Sequence, residues 1–114
     1  MSDLLALPAR ACAALYAARK ASPVDYAKAL VARLDAVEPQ INAFAQIDRE
    51  GVIAGARAAE ARYARGAPCG PADGLVATIK DNVMAQGMRT RRGTRTSSDA
   101  PATEDSPPTA RLRE

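Results

Sequence analysis

Alanine stands in this chain where large apolar side chains would be expected, and that limits the core it can build. Of 114 residues 27 are Ala, whereas Leu, Ile, Val and Phe together number 19, about 17%, below the roughly 20% at which a self-sufficient core becomes doubtful. There is no Trp and a single Phe, so few large anchors are available for packing. The length allows one domain at most. The expectation is a thin core, or a share of a larger one.

What alanine does well is form helices. The segment from Pro8 to about Lys20 (8–20) reads as a helix with Pro8 at its first position and a narrow stripe of Ala11, Leu15 and Ala18. Ser22-Pro23-Val24-Asp25 is a strong helix start: Ser22 can cap an N–H, Pro23 needs none, and Asp25 complements the dipole. Val24, Ala27, Val31, Leu34 and Val37 then recur at helical spacing over 22–38, and Pro39 predicts an end near Glu38. After a short extended stretch around Phe44, Asp48 is placed to cap a third helix over 49–64. Val52, Ala56, Ala59 and Tyr63 share one face of it, and Gly66 ends it.

Beyond a turn-rich loop, Leu75–Ile79 reads as an apolar strand over about 75–80 that delivers Lys80 at its end. An ammonium at a buried strand end is costly, and that cost marks Lys80 for a functional hypothesis. Residues 81–105 are rich in Gly, Thr, Ser, Pro and Arg and read as irregular. Ser106-Pro107 repeats the cap-plus-proline signal and opens a short, truncated helix from 107.

Composition excludes several chemistries. Histidine is absent, so the chain alone cannot build Ser-His-Asp or Cys-His catalysis or a His-ligated metal site. Cys12 and Cys69 form no CxxC, and no metal or cofactor is implied; reduced thiols are the economical reading. Asp3 stands where a signal peptide would carry basic residues, and no apolar run approaches a membrane span. A soluble, cytoplasmic protein is expected.

The arrangement G-x-x-x-x-I-K-D-N-x-x-x-x-G-M-x-T-x-x-G (Gly74 to Gly93), preceded by the helix pair ending in PQINAFAQID, resembles the amidase signature family. The likeness covers essentially the whole chain and the first part of the family's domain. It implies an α/β fold, of which this chain holds the N-terminal helices and first strand. It also implies a hydrolase of carboxamide C–N bonds working through a Ser–cis-Ser–Lys triad. By position Lys80 matches the triad lysine, implied to accept a proton through the bridging serine and so activate the nucleophile; for this it must be neutral, which burial favours. Asp81 and Asn82 match supporting positions, expected to hold the backbone around the lysine. Both serines are expected outside residues 1–114. Ser97 and Ser98 lack the flanking glycines of an oxyanion loop and are not expected to act.

The chain departs from the family pattern at Val76, where proline is usual, at Arg91, where threonine is usual, and at Thr94, where serine is usual. The expected product is thus an amidase segment, incomplete and inactive by itself, acting on a small-molecule amide only as part of a full enzyme. A second reading is a non-catalytic module or amidotransferase-type subunit that docks on a partner chain or forms a homo-oligomer. A weaker third is nucleic-acid binding through Arg89, Arg91, Arg92 and Arg95, for which no aromatic residue is interleaved.

Overall fold

The capping box written at Ser22 forms as the spacing requires. The Ser22 hydroxyl accepts the Asp25 N–H at 3.1 Å, and the Asp25 carboxylate accepts the Ser22 N–H at 3.2 Å. The computed structural model describes residues 3–114. In order it contains a 3-10 turn Leu4–Ala6, then α1 Ala9–Ala17, α2 Pro23–Ile41, α3 Arg49–Ala64 and α4 Pro107–Arg113. The chain divides into two compact units. One comprises the chain up to Asn42 with Asp48–Val76, the other Ala43–Ile47 with Ala77–Glu114.

The first unit is the alanine-built part. α2 lies along α3, and Val24, Ala27 and Ala56 form its buried cluster, with Val52 and Ile53 packed against it. On α1 the buried face differs from the expected stripe. Cys12 and Tyr16, at 1% exposure each, are inside, while Ala18 is exposed. The reason is area: one turn apart, Tyr16 and Cys12 bury far more apolar surface than alanines can, so they set the helix rotation. Tyr16 meets Tyr63 edge-on, ring centroids 5.7 Å apart. Its hydroxyl has no hydrogen-bond partner among the described residues, and burial pushes its pKa above the usual tyrosine range.

The helix ends show how the backbone is satisfied. α3 closes in a Schellman motif: Gly66 at φ +70° donates to Tyr63 O (3.0 Å) and Ala67 to Arg62 O (2.9 Å). α1 ends the same way with Arg19 in the left-handed region, φ +57°, and the Arg19 guanidinium donates to Ala64 O of α3 at 2.8 Å. α2 runs three residues past the expected stop at Glu38. Pro39 removes only one donor there, and Asn42, left-handed at φ 46°, closes the last turn by donating to Glu38 O at 2.8 Å.

The loop after α3 is held by a charge. Asp73, with a side chain 4% exposed, takes a bidentate pair from Arg62 at 2.6 and 2.8 Å and a third bond from the Cys69 N–H at 2.9 Å. The Tyr63 hydroxyl donates to the Asp73 carbonyl at 3.1 Å. Next to it, Gly74 has φ +78°, and a Cβ there would stand 2.8 Å from Pro23 Cγ.

The expected strand at 75–80 does not form, and the described residues contain no strand. Val76, Ala77, Thr78 and Ile79 enter no main-chain hydrogen bond among them, because a strand is defined by a neighbour and none is supplied. The α/β architecture is therefore not realised here; the regular elements are helical. In the second unit a lone parallel bridge joins Gln86 and Ala102. Ser106 does not cap α4; its hydroxyl accepts the Met84 N–H at 3.0 Å. Thr109, 3% exposed, donates to Met84 O at 2.8 Å, which ties the short α4 down.

Two glycine substitutions should move stability in opposite directions. Gly55 faces open space inside α3, so Gly55→Ala is expected to stabilise by about 0.5–1 kcal/mol. Gly74→Ala must hold a Cβ at positive φ against Pro23 and is expected to cost about 1–3 kcal/mol. Urea unfolding of both variants checks the pair.

The Asp73 carboxyl is held below its ordinary value of 3.8, first by the Arg62 side chain, with burial opposing and the Cys69 N–H assisting. A carboxyl depressed in the folded state adds stability above its unfolded pKa, and this is lost as pH falls through the folded one. Thermal melts should show a steeper acid-side loss below the ordinary carboxyl value of 3.8 in the parent chain than in Asp73→Asn. Parallel acid limbs would disprove the assignment.

Candidate functional site

In the second unit a turn at Lys80-Asp81-Asn82-Val83, closed by the Val83 N–H on Lys80 O at 2.9 Å, bends the chain where the apolar segment ends. Polar side chains make this local structure. Asp81 takes the Arg92 N–H on its carbonyl at 2.9 Å and the Arg91 N–H on its carboxylate at 3.0 Å. One residue thereby fastens a second loop by two bonds, the main chain and side chain acting together. Gln46 fastens the same loop by a single side-chain bond: its Oε1 accepts the Arg89 N–H at 3.1 Å.

These segments enclose an open groove of about 770 Å³, whose walls include Phe44, Thr78, Lys80, Asn82, Met88 and Arg92. Lys80 and Asn82 are exposed and Asp81 is half-buried. The three residues singled out in the sequence thus come together on one groove, Asp81 with the local hydrogen bonding described above. The burial expected for Lys80 is absent. Thr78 nearby is exposed as well, and no strand pairs with the 76–79 segment among the described residues. Lys80 enters no ion pair among the described residues.

The two adjacent serines are engaged in the loop. The Ser97 hydroxyl donates to Arg91 O at 2.7 Å, and the Ser98 hydroxyl accepts the Ala100 N–H at 3.0 Å. The Ser97 proton is committed to a carbonyl and is not available for transfer to a base, and the Ser98 hydroxyl is shown accepting an N–H and not donating to a base, so neither geometry is that of an activated nucleophile. Cys12 is buried, with its thiol on Leu4 O at 3.6 Å, and Cys69 is exposed; both are free. Among the described residues no cluster of His, Cys, Asp or Glu could hold a metal ion, and no helix is long and apolar enough to cross a membrane.

Sequence reasoning missed the role of Gln46. Its signal was weak: an amide two residues after the Phe44 of an extended segment, opposite a loop 43 residues later. It also missed Asp105, which accepts the Gln86 N–H at 2.7 Å and ion-pairs with Arg113 at 2.8 Å.

Comparison with known proteins gives a consistent result. The family model described as Amidase matches residues 25–114. Among relatives, a glutamyl-tRNA(Gln) amidotransferase subunit from Salinispora arenicola is 37% identical over 95 residues, covering 83% of this chain and 19% of the relative. The Salinispora tropica protein of the same name is 34% identical over 113 residues, 99% of this chain and 23% of that one. The Chloroflexus aggregans protein, again of that name, is 38% identical over 95 residues, 83% and 20% respectively. The chain spans about a fifth of the length of these curated relatives. No solved structure matches.

If Asp81 is the clasp of the groove, removing its side chain should free the facing loop. In Asp81→Ala, amide hydrogen exchange at Arg91 is expected to rise about tenfold or more, in line with loss of one charge-assisted bond. Exchange at Met84, held by Ser106, should stay unchanged. Equal protection at Arg91 in both proteins would refute the clasp.

Proposed function

The chain belongs to the amidase family, and we propose that it contributes Lys80 as the proton-carrying residue of a carboxamide C–N hydrolase. Both serines of the triad are supplied from outside residues 1–114. The observation that carries this reading is the position of Lys80: at the end of the 75–79 segment, in the Lys80-Asp81-Asn82 turn, on a groove wall and without an ion-pair partner among the described residues. A lysine amine in that position can take a proton from a bridging serine while the nucleophilic serine attacks the amide carbon, and return it to the departing amine.

Asp81 then acts as a positioning residue through the loop it fastens, and Asn82 supports the turn. Leu75–Ile79 becomes the first strand of an α/β domain once a neighbouring strand pairs with the free main-chain groups of residues 76–79. The same docking would cover Lys80 and favour its neutral form. Alone, the chain is catalytically inactive on this reading.

The names of the relatives favour an amidotransferase-type role within the same chemistry, in which a carboxamide is cleaved and its ammonia passed on in company with a partner chain. Nucleic-acid binding has less support, since Asp99 holds Arg91 and no aromatic residue is interleaved among Arg89, Arg91, Arg92 and Arg95.

A chimaera tests the reading: this chain's residues 25–114 replace the homologous segment of the Salinispora arenicola relative, and amide hydrolysis is measured. Lys80→Arg keeps the charge and cannot be deprotonated, so it is expected to lower kcat on the order of 10³-fold, with Lys80→Ala similar. Ser98→Ala should leave turnover intact. A Lys80→Arg chimaera as active as its parent would defeat the proposal.

A further inference from the structure

Four arginines crowd the loop from Arg89 to Arg95, and the structure gives them different surroundings. Arg91 is occupied: its N–H is on Asp81 and its guanidinium on Asp99. Arg89 and Arg92 line the groove together with Lys80. Arg92 and Lys80 meet no carboxylate within ion-pair distance among the described residues. Arg89 reaches Asp99 only at 3.5 Å, and that carboxylate is 72% exposed, so the pair is weak and easily exchanged. Asp81 is the acidic residue on the groove wall, and its Oδ1 is taken by the Arg91 N–H. Three cations therefore face one carboxylate that is already hydrogen-bonded.

A second observation is independent of charge. Arg92 is held in the left-handed region at φ +54°, where a residue with a long side chain is uncommon, and the Arg92 N–H on the Asp81 carbonyl at 2.9 Å keeps it there. Arg19 takes the same region to close a helix; Arg92 takes it in a loop on the groove, where the two N–H bonds from Arg91 and Arg92 to Asp81 over-determine it. Glycine or asparagine would hold the turn with less strain.

We infer that the groove binds a small oxyanion, a carboxylate or a phosphate, held by the guanidinium forks of Arg92 and Arg89, with Lys80 left to its proton-carrying role. The planar fork matches either group in two-pronged fashion, and the groove of about 770 Å³ admits a small molecule. Binding displaces Asp99 from Arg89 and leaves its contact with Arg91 in place. This site does not rest on the reading of Lys80 as a proton carrier, because binding is measured without turnover.

The test follows the arginine Nε–H resonances of the 114-residue chain during titration with sodium acetate, with inorganic phosphate and with neutral acetamide. Saturable shifts at Arg89 and Arg92 are expected with an anion, at dissociation constants on the order of millimolar, and none with acetamide. Tighter acetate binding assigns a carboxylate ligand, and tighter phosphate binding a phosphate. Arg92→Asn, which tolerates positive φ, should weaken anion binding about tenfold, whereas Arg95→Asn, on the same loop and outside the groove wall, should not. Shifts that never saturate, acetamide shifts equal to those of the anions, or equal weakening by both variants would each overturn the site.

Discussion

The Asp73 carboxylate is the group on which the first unit turns. It is nearly removed from water, and it is tolerated there because Arg62 offers two donors and the Cys69 N–H a third. A buried carboxylate with three bonds defines a position more sharply than apolar contact can, since each bond has a direction. From that point the loop is committed: Tyr63 seals the Asp73 carbonyl, and Gly74 lies so close to Pro23 that no side chain fits. Tyr63 in turn is the edge-on partner of Tyr16, so the loop, α1 and α3 share one set of contacts.

Polar fastening of this kind is what a chain short of large apolar side chains requires. Alanine faces let α2 and α3 approach but bury little area per residue. The remaining order comes from side-chain oxygens that accept main-chain N–H groups: Asp48 on Gly51, Asp81 on Arg91, Asp105 on Gln86, Ser106 on Met84, Gln46 on Arg89. In the second unit these bonds replace the ladder of a sheet. They leave the mostly apolar 76–79 segment with free backbone groups, and Lys80 beyond it in the open.

Much of this was legible in residue order. The capping box at Ser22, the Asp48 cap, the buried faces of α2 and α3 and the glycine closing α3 all follow from interactions within one or two turns of the chain, where spacing alone sets geometry. The Lys80-Asp81-Asn82 motif was legible for a similar reason, since it lies on one short segment. Other features depend on groups far apart in the chain. Which face of α1 turns inward was decided by Tyr16 finding Tyr63 and not by the alanine stripe. That Ser106 serves Met84 instead of its own helix, and that Gln46 meets the Arg89 loop, are pairings across many residues.

The amino-acid sequence by itself therefore determined the helices, the Ser22 and Asp48 caps and the lysine motif, because these depend on period, local hydrogen bonding and residue type. Only the tertiary structure decided three other matters: the exposure of Lys80, the absence of a strand at 75–80 and the grouping of Arg89 and Arg92 on one groove. Burial, pairing and charge clustering are properties of neighbours in space. A sequence sets a residue's own preferences, but it does not set which distant group will stand beside it.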